Sequence, residues 1–275
     1  MSKSNPTYPT DLNDSEWQVI EQYLPKASPT GPGGRPRENT WRQILNGIFY
    51  IVRSGCAWRL MPKDLPHWKT VYHYFRLWRK AGRWQQMNER LREAVRVQAG
   101  RAPQPSAAVI DSQSVKTAEG GDERGYDAGK KVTGRKRHVV VDTLGLIVLV
   151  LVTAASTQDR DGARQVLQTL FDRLKKRKSW RGCRLKLFGA DGSYRGELIE
   201  WVKHTLGWVL TIVDKPPGQV GFQVLPKRWI VERTFAWLTR NRRLSKDYER
   251  LPATSEAFIY VAAIRLMTKR LAHAR

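Results

Sequence analysis

Two β-branched runs, His138 to Val141 and Gly145 to Thr153, flank the tetrapeptide Asp142-Thr143-Leu144-Gly145 and predict an antiparallel hairpin. The apolar run Leu144 to Ala155 is about a dozen residues long, too short for the roughly 20 that a membrane-spanning helix needs. It is expected to be a buried strand. Ahead of the hairpin, Ala107 to Asp111 is a short apolar run ending in an acid. Behind it come a helical pattern from Asp161 to Leu174 and a second apolar run, Leu185 to Ala190, that ends at Asp191. A helix from Glu197 to Leu206, a strand from Trp208 to Val213, a helix across Lys227 to Lys246 and a last helix from Glu256 to Ala272 complete the pattern. Three strands followed by alternating helices and strands predict an α/β fold. The arrangement is that of an RNase H-like mixed sheet flanked by helices, in which the first and fourth predicted strands are neighbours.

The first hundred residues have a different character. Asn13 and Glu16 have capping-box spacing, and Thr40 caps a second helix that Gly55 ends. Further helices are marked by Trp68 to Trp78 and by Trp84 to Val97. A Gly/Pro loop after the first helix carries Arg35 and Arg37, and the third helix carries Lys69 and Arg76 among its polar positions. Short helices with a basic face fit an all-α, helix-turn-helix-like DNA-binding domain. They fit equally a bundle whose basic face is merely solvated. The proline-bearing AGRAPQPS divides the chain into a helical DNA-binding domain (1–100), a linker (101–106) and a catalytic domain (107–275).

Charge narrows the partner. Lys and Arg number 49 against 25 Asp and Glu, a net charge of +24, which draws the chain to polyanions, nucleic acid above all. Its 11 tryptophans and ordered strands set it apart from histone-like proteins of similar charge. Cys56 and Cys183 have no partner at zinc or disulfide spacing and are expected to be buried thiols in a reducing cytosol. The polar start lacks the apolar core of a secretory signal.

In a partly parallel sheet, ligand sites gather beyond the carboxyl ends of the strands. Asp111 and Asp191 are expected to meet at one such edge. Glu232 is the single carboxylate between Lys227 and Lys246, on a helix able to cover that edge. An ion pair with Arg228, four residues earlier, accounts for Glu232 locally. The two aspartates favour a metal site instead, because three close carboxylates repel unless cations neutralise them. Hard oxygen donors suit Mg²⁺, with Mn²⁺ as a substitute. Two such ions about 4 Å apart activate an attacking oxygen and stabilise the leaving one in phosphodiester cleavage or transfer.

The other acids have simpler roles. Asp142 is expected in the hairpin turn and Asp159 or Asp161 at a helix N-cap, while Asp214, at the end of the last strand, stays a weak candidate. Ser112, Ser114 and Ser193 flank the acids without a His to activate them. Lys116, Lys130, Lys131, Arg135, Lys136, Arg137 and His138 surround the first strand and hairpin, and they are expected to grip phosphate rather than form a solvated face. Arg228, Arg233, Arg240, Arg242 and Arg243 bring more cations on and after the Glu232 helix. Trp229 and Trp237 are assigned to core packing over base stacking.

The blocks VIDSQSVKT, GRKRHVVVDTLGLIV, GADGSYRG and RWIVERTFAWLTRNRRLSKDYE closely resemble the DDE transposases of bacterial insertion sequences, in particular the IS-five family. GRPRENTWRQILNGIFYIVRSGCAWRLMP and HWKTVYHYFRLW resemble that family's N-terminal region, so the resemblance covers nearly the whole chain. It implies that Asp111, Asp191 and Glu232, separated by 80 and 41 residues, are the catalytic, metal-binding triad. The second interval leaves no room for the β-strand insertion of some relatives. Arg228 matches the Arg of a family signature, whereas its Tyr and Lys positions hold Leu225 and Thr239. By resemblance the partners are double-stranded DNA, as terminal inverted repeats and target, and a second copy of the chain. The place of action would be the bacterial nucleoid, with no membrane involved. The alternatives are an RNase H-like nuclease without strand transfer and a non-catalytic DNA-binding repressor.

Overall fold

The computed structural model describes residues 8–25, 38–118, 121–176, 183–213 and 229–273. Four helices come first: α1 (Asp14–Glu21), α2 (Trp41–Ser54), α3 (Trp68–Lys80) and α4 (Arg83–Gln98). The capping boxes form as expected. Asn13 accepts from the Glu16 N–H and Glu16 from the Asn13 N–H at the start of α1, and Thr40 and Gln43 do the same for α2. Gly55 ends α2 at φ 74°, a conformation glycine adopts without strain.

Six strands follow: β1 (Ala107–Lys116), β2 (Gly125–Asp127), β3 (Val132–Asp142), β4 (Ile147–Ala154), β5 (Leu187–Ala190) and β6 (Val209–Ile212). They form one sheet in the order β2-β3-β1-β5-β6, with β4 also paired to β3. β3 runs antiparallel to β1, β2 and β4, whereas β1, β5 and β6 are parallel. Helices α5 (Asp159–Lys175) and α6 (Glu197–Trp201) lie in the crossovers, and α7 (Trp229–Thr239) and α8 (Pro252–His273) come last. An antiparallel hairpin extending a parallel pair, with helices on the faces, is the RNase H-like α/β arrangement.

Several predicted boundaries move: the helix expected across Lys227 to Lys246 ends at Thr239, and the one expected over Glu197 to Leu206 is α-helical only to Trp201. β1 continues five residues past Asp111, because its second half pairs with β3 from Ser112↔His138 to Lys116↔Gly134. β3 begins at Val132, well before His138, for the same reason.

The pleat of β1 separates two cores. On one face Val109, Val139 and Val141 pack with Ile230, Val231 and Phe235 of α7 and with α8. On the other, Ala108, Ile110, Val140 and Phe188 pack with Val166, Leu167 and Leu170 of α5. The first core continues into the N-terminal helices through Ile44, Phe75, Trp78 and Leu91. Two ion pairs cross the same boundary, Arg265–Glu16 at 2.8 Å and Arg96–Asp142 at 2.9 Å. Cys56 and Cys183 are free and only half-buried. Among the described residues no helix is long and apolar enough to cross a membrane.

The open edge of β4 is covered by α8. Tyr260 Oη accepts the Val150 N–H at 3.2 Å and Glu256 Oε1 the Val152 N–H at 3.0 Å, which satisfies strand donors that would otherwise invite pairing with another chain. Burial pushes the Glu256 carboxyl up to about 7. Its folded value therefore lies above that of an unfolded Glu near 4.3, so the cost of ionising it grows between these values and is complete above pH 7. Glu256→Gln keeps an acceptor without the charge. It is expected to stabilise the protein by on the order of 2 kcal/mol at pH 8 and hardly at all at pH 4; melting curves at both pH values test this, and equal shifts would contradict it.

Candidate active site

The register of β1 on β5 builds the site. Val109 pairs with Gly189, so carrying the register two residues on sets Asp111 level with Asp191. Strand side chains alternate, so both acids lie on the Val109 face, the face that α7 covers. β5 ends at Ala190, while β1 runs on, paired to β3 alone. Asp111 is thus mid-strand, yet it stands at the carboxyl end of the parallel pairing. A cavity of about 100 Å³ opens here, lined by Asp111 and Asp191 with Thr143, Thr211, Val213 and Val231.

Each aspartate is oriented by its neighbour. Ser112 N–H donates to Asp111 Oδ1 at 2.7 Å. Asp191 caps the short turn Gly192–Tyr194, its Oδ1 accepting from Ser193 N at 2.8 Å and Ser193 Oγ at 2.5 Å. Glu232 is exposed on α7, next in the chain to the cavity-lining Val231. Among the described residues no three His, Cys, Asp or Glu side chains are gathered closely enough to hold one metal ion. The two carboxylates that line the cavity are nevertheless the hard oxygen donors a divalent cation takes.

A buried polar network braces β1 from its other face. Ser112 Oγ donates to Asp159 Oδ1 at 2.6 Å, Lys136 Nζ pairs with Asp159 at 3.0 Å and Asp127 at 3.2 Å, and Ser114 Oγ donates to Asp127 at 2.5 Å. Burial alone would raise Asp127, but the bonds from Ser114, Lys130 and Lys136 outweigh it and hold the carboxyl down at about 2. Asp159 is lowered in the same way, by Ser112 and Lys136 against burial. Tyr194, buried in the turn after Asp191, is pushed well above the ordinary tyrosine value by burial and then by the Asp111 and Asp159 charges. Its phenol stays protonated. Neither Tyr194 nor the network was anticipated; the aromatic in GADGSYRG, an otherwise small and polar turn, was the available signal.

The predicted phosphate contacts divide sharply. Lys69, Arg76, Lys116, Lys130, Lys131, Arg240 and Arg242 are exposed, and Lys130 Nζ reaches the Ser112 carbonyl at 3.5 Å, beside Asp111. Arg35, Arg37, Arg228 and Asp214 lie outside the described residues.

Arg135, Lys136, Arg137 and His138 are buried and must be withdrawn as phosphate contacts. They sit on the central strand β3, which is covered on both faces, so their charges are spent inside. Arg135 donates to the carbonyls of Glu249 and Arg250 at 2.7 Å and pairs with Asp247 at 3.3 Å. Arg137, pulled down to about 10 by burial, donates to the Leu244 carbonyl at 2.9 Å. His138, held near 4 by burial and so uncharged at neutral pH, bonds Thr153 Oγ1 at 3.0 Å. Its ring fills the space a Cβ on Gly162 would need, 2.0 Å away.

Arg243 and Arg233 are likewise engaged in the fold. Arg243 pairs with Glu249 at 2.7 Å. Arg233 lies over the rings of Trp229 and Trp237, at 4.2 and 4.7 Å, and donates to the Leu144 carbonyl. These two tryptophans clamp a cation and are not core residues, contrary to expectation. Asp142 is the turn residue it was expected to be, accepting from the N–H groups of Leu144 and Leu146. Asp159 stands one residue inside α5, whose N-cap is Gln158.

Comparisons with known proteins give the family. A family model described as "Transposase DDE domain" matches residues 102–267, and one described as "transposase of IS4/5 family" matches residues 12–88. The "Insertion element IS402 uncharacterized 16.2 kDa protein" of Burkholderia cepacia is 30% identical over 119 residues, 42% of this chain and 78% of that protein. "Uncharacterized protein y4sN" of Sinorhizobium fredii is 30% identical over 71 residues, 26% of this chain and about half, 54%, of that protein. Among solved structures, the pre-cleavage Mos1 transpososome aligns at TM-score 0.30 and 12% identity, covering 94% of this chain and 84% of that one. The Mos1 mariner paired end complex with Mn aligns at 0.32 and 13%, covering 100% and 80%. At such scores the fold rests on the strand order described above.

Proposed function

Since the chain belongs to the DDE transposase family of insertion elements, we propose that Asp111, Asp191 and Glu232 are the acids of its strand cleavage and strand transfer on DNA. The observation that carries this reading is the parallel register that sets Asp111 and Asp191 level at the end of β5. Two acids 80 residues apart in sequence have no packing reason to share a cavity.

DDE transposases use divalent metal ions; for this chain the ion is Mg²⁺, with Mn²⁺ able to replace it. When bound, the metal neutralises the carboxylates, activates the attacking oxygen and stabilises the leaving one. Asp111 and Asp191 would hold it, kept in orientation by Ser112 and Ser193, and Glu232 would complete the set from α7. Tyr194 and the Ser112–Asp159–Lys136 network keep the strand beneath Asp111 rigid. Lys130, Lys116 and Lys131 bring positive charge alongside β1 for the phosphate backbone.

The division of roles would fall at 101–106; one family model matches residues 12–88 and the other begins at residue 102. The helices of residues 1–100, with Lys69 and Arg76 exposed on α3, would recognise the terminal inverted repeats. Two ends must be cut and joined together, so two copies of the chain act on paired ends in the nucleoid.

The test is cleavage of an end-labelled duplex bearing the repeats that flank the gene, by wild type and Glu232→Ala, with and without Mg²⁺. Mg²⁺-dependent nicking at the repeat boundary should fall at least a hundredfold in the variant while DNA binding survives. Equal nicking by both proteins would remove Glu232 from the site. Tight binding with no cleavage by either would favour a repressor.

A further inference from the structure

A second cavity, of about 370 Å³, lies between α2, α7, α8 and the β3–β4 turn, and the chemistry above does not use it. Its volume falls in the roughly 300–1,000 Å³ range of small-ligand sites. Phe49 and Trp237 line it, with Arg265 over the first ring at 5.5 Å and Arg233 and Arg270 over the second at 4.7 and 4.3 Å, and Arg53, Arg240, Arg265 and Lys269 bring four cations to its wall. Among the described residues no Asp or Glu lines it.

Two of the cations are already engaged. Arg265 pairs with Glu16 at 2.8 Å and donates to the Asp11 carbonyl at 3.1 Å, and Arg53 donates to the Arg240 carbonyl. The side chains of Arg240 and Lys269 make no hydrogen bond or ion pair among the described residues. Burial pulls the Lys269 ammonium down, and the neighbouring Arg265 and Arg53 charges add to this against Glu16. Glu16 answers Arg265 and eases Lys269, yet the four cations outnumber that carboxylate, and like charges held together repel unless an anion joins them. Aromatic surface beside that charge selects an anion with a flat apolar part.

We propose that this cavity binds a nucleoside phosphate, the base against Phe49 and Trp237 and the phosphate on Lys269 and Arg240. An unpaired nucleotide of bound DNA and a free nucleotide offer the same chemistry, so the experiment must tell them apart. The cavity is separate from the Asp111 and Asp191 edge, and its ligand should bind whether or not that edge is intact.

The full chain is titrated calorimetrically with dAMP, with a short single-stranded oligonucleotide and with inorganic phosphate, as wild type, Lys269→Gln and Asp111→Asn. Lys269 is exposed, so its replacement leaves the fold alone. A dAMP affinity that falls about tenfold in Lys269→Gln and holds in Asp111→Asn would assign the site to a free nucleotide. The same Lys269 dependence seen only with the oligonucleotide would assign it to an unpaired nucleotide of DNA. Binding of neither probe, binding insensitive to Lys269→Gln, or inorganic phosphate binding as tightly as dAMP would overturn the proposal. Loss of cleavage in Asp111→Asn with dAMP binding retained would show that the two sites stand or fall separately.

Discussion

Asp111→Asn is expected to lower metal-dependent nicking about a thousandfold or more while the protein still binds duplex DNA and melts at the wild-type temperature. Asparagine keeps the shape of the side chain and the oxygen that accepts the Ser112 N–H at 2.7 Å. What it removes is the negative charge that, on the proposed reading, draws a divalent ion to the end of β5. A thousandfold loss corresponds to about 4 kcal/mol of transition-state stabilisation, within what a metal-assisted displacement takes from its ion. Single-turnover nicking of an end-labelled duplex across a Mg²⁺ series measures it, with thermal melting as the control for folding. Nicking within tenfold of wild type at saturating Mg²⁺ would take Asp111 out of the chemistry; lost nicking together with a lowered melting point would point to the strand rather than the acid.

The strand positions of Asp111 and Asp191 were legible in the sequence because each follows an apolar run that reads as a strand, and the end of parallel pairing is where ligands bind. The basic residues were not. GRKRH looks like surface, and local sequence gives no sign that residues 244–250 return to cover it. Arg135 and Arg137 find their acceptors in the carbonyls of Leu244, Glu249 and Arg250, more than 100 positions away. The same blindness shortened β1: SQSVK is polar but for Val115, and only the register with β3 and the acids Asp127 and Asp159 explain why it continues a strand. Trp229 and Trp237 fit a helix's apolar stripe by spacing, but Arg233 between them, four residues from each, turns the stripe into a cation clamp. Sequence reasoning failed where a side chain's partner is distant in the chain. It held where the pattern was local.

Arg96→Met is expected to cost about 3–5 kcal/mol of stability, the range for breaking a buried ion pair by removing one partner. Asp142 is fully buried, and Arg96 Nη1 at 2.9 Å is its only ion-pair partner among the described residues. Its other oxygen accepts the N–H groups of Leu144 and Leu146 at 2.9 and 3.0 Å, so the carboxylate cannot swing out to water without opening the β3–β4 turn. Asp142→Asn in the Arg96→Met background removes the stranded charge and should recover a large part of the loss; denaturant melts of the four proteins in that cycle give the coupling. A single variant that melts within 2 °C of wild type, by the roughly 2–4 °C per kcal/mol of a chain this size, would show that the pair contributes little. The consequence reaches the site, because the turn also seats α7. Thr234 Oγ1 donates to the Gly145 carbonyl at 2.7 Å, Arg233 Nη2 to the Leu144 carbonyl at 3.1 Å, and Thr143 lines the cavity of Asp111 and Asp191. Arg96 on α4 therefore fixes, through one carboxylate, the turn against which the Glu232 helix rests. If that is its role, the double variant should regain stability but cut DNA more slowly than wild type at equal DNA occupancy, since an amide without its arginine holds the turn less firmly.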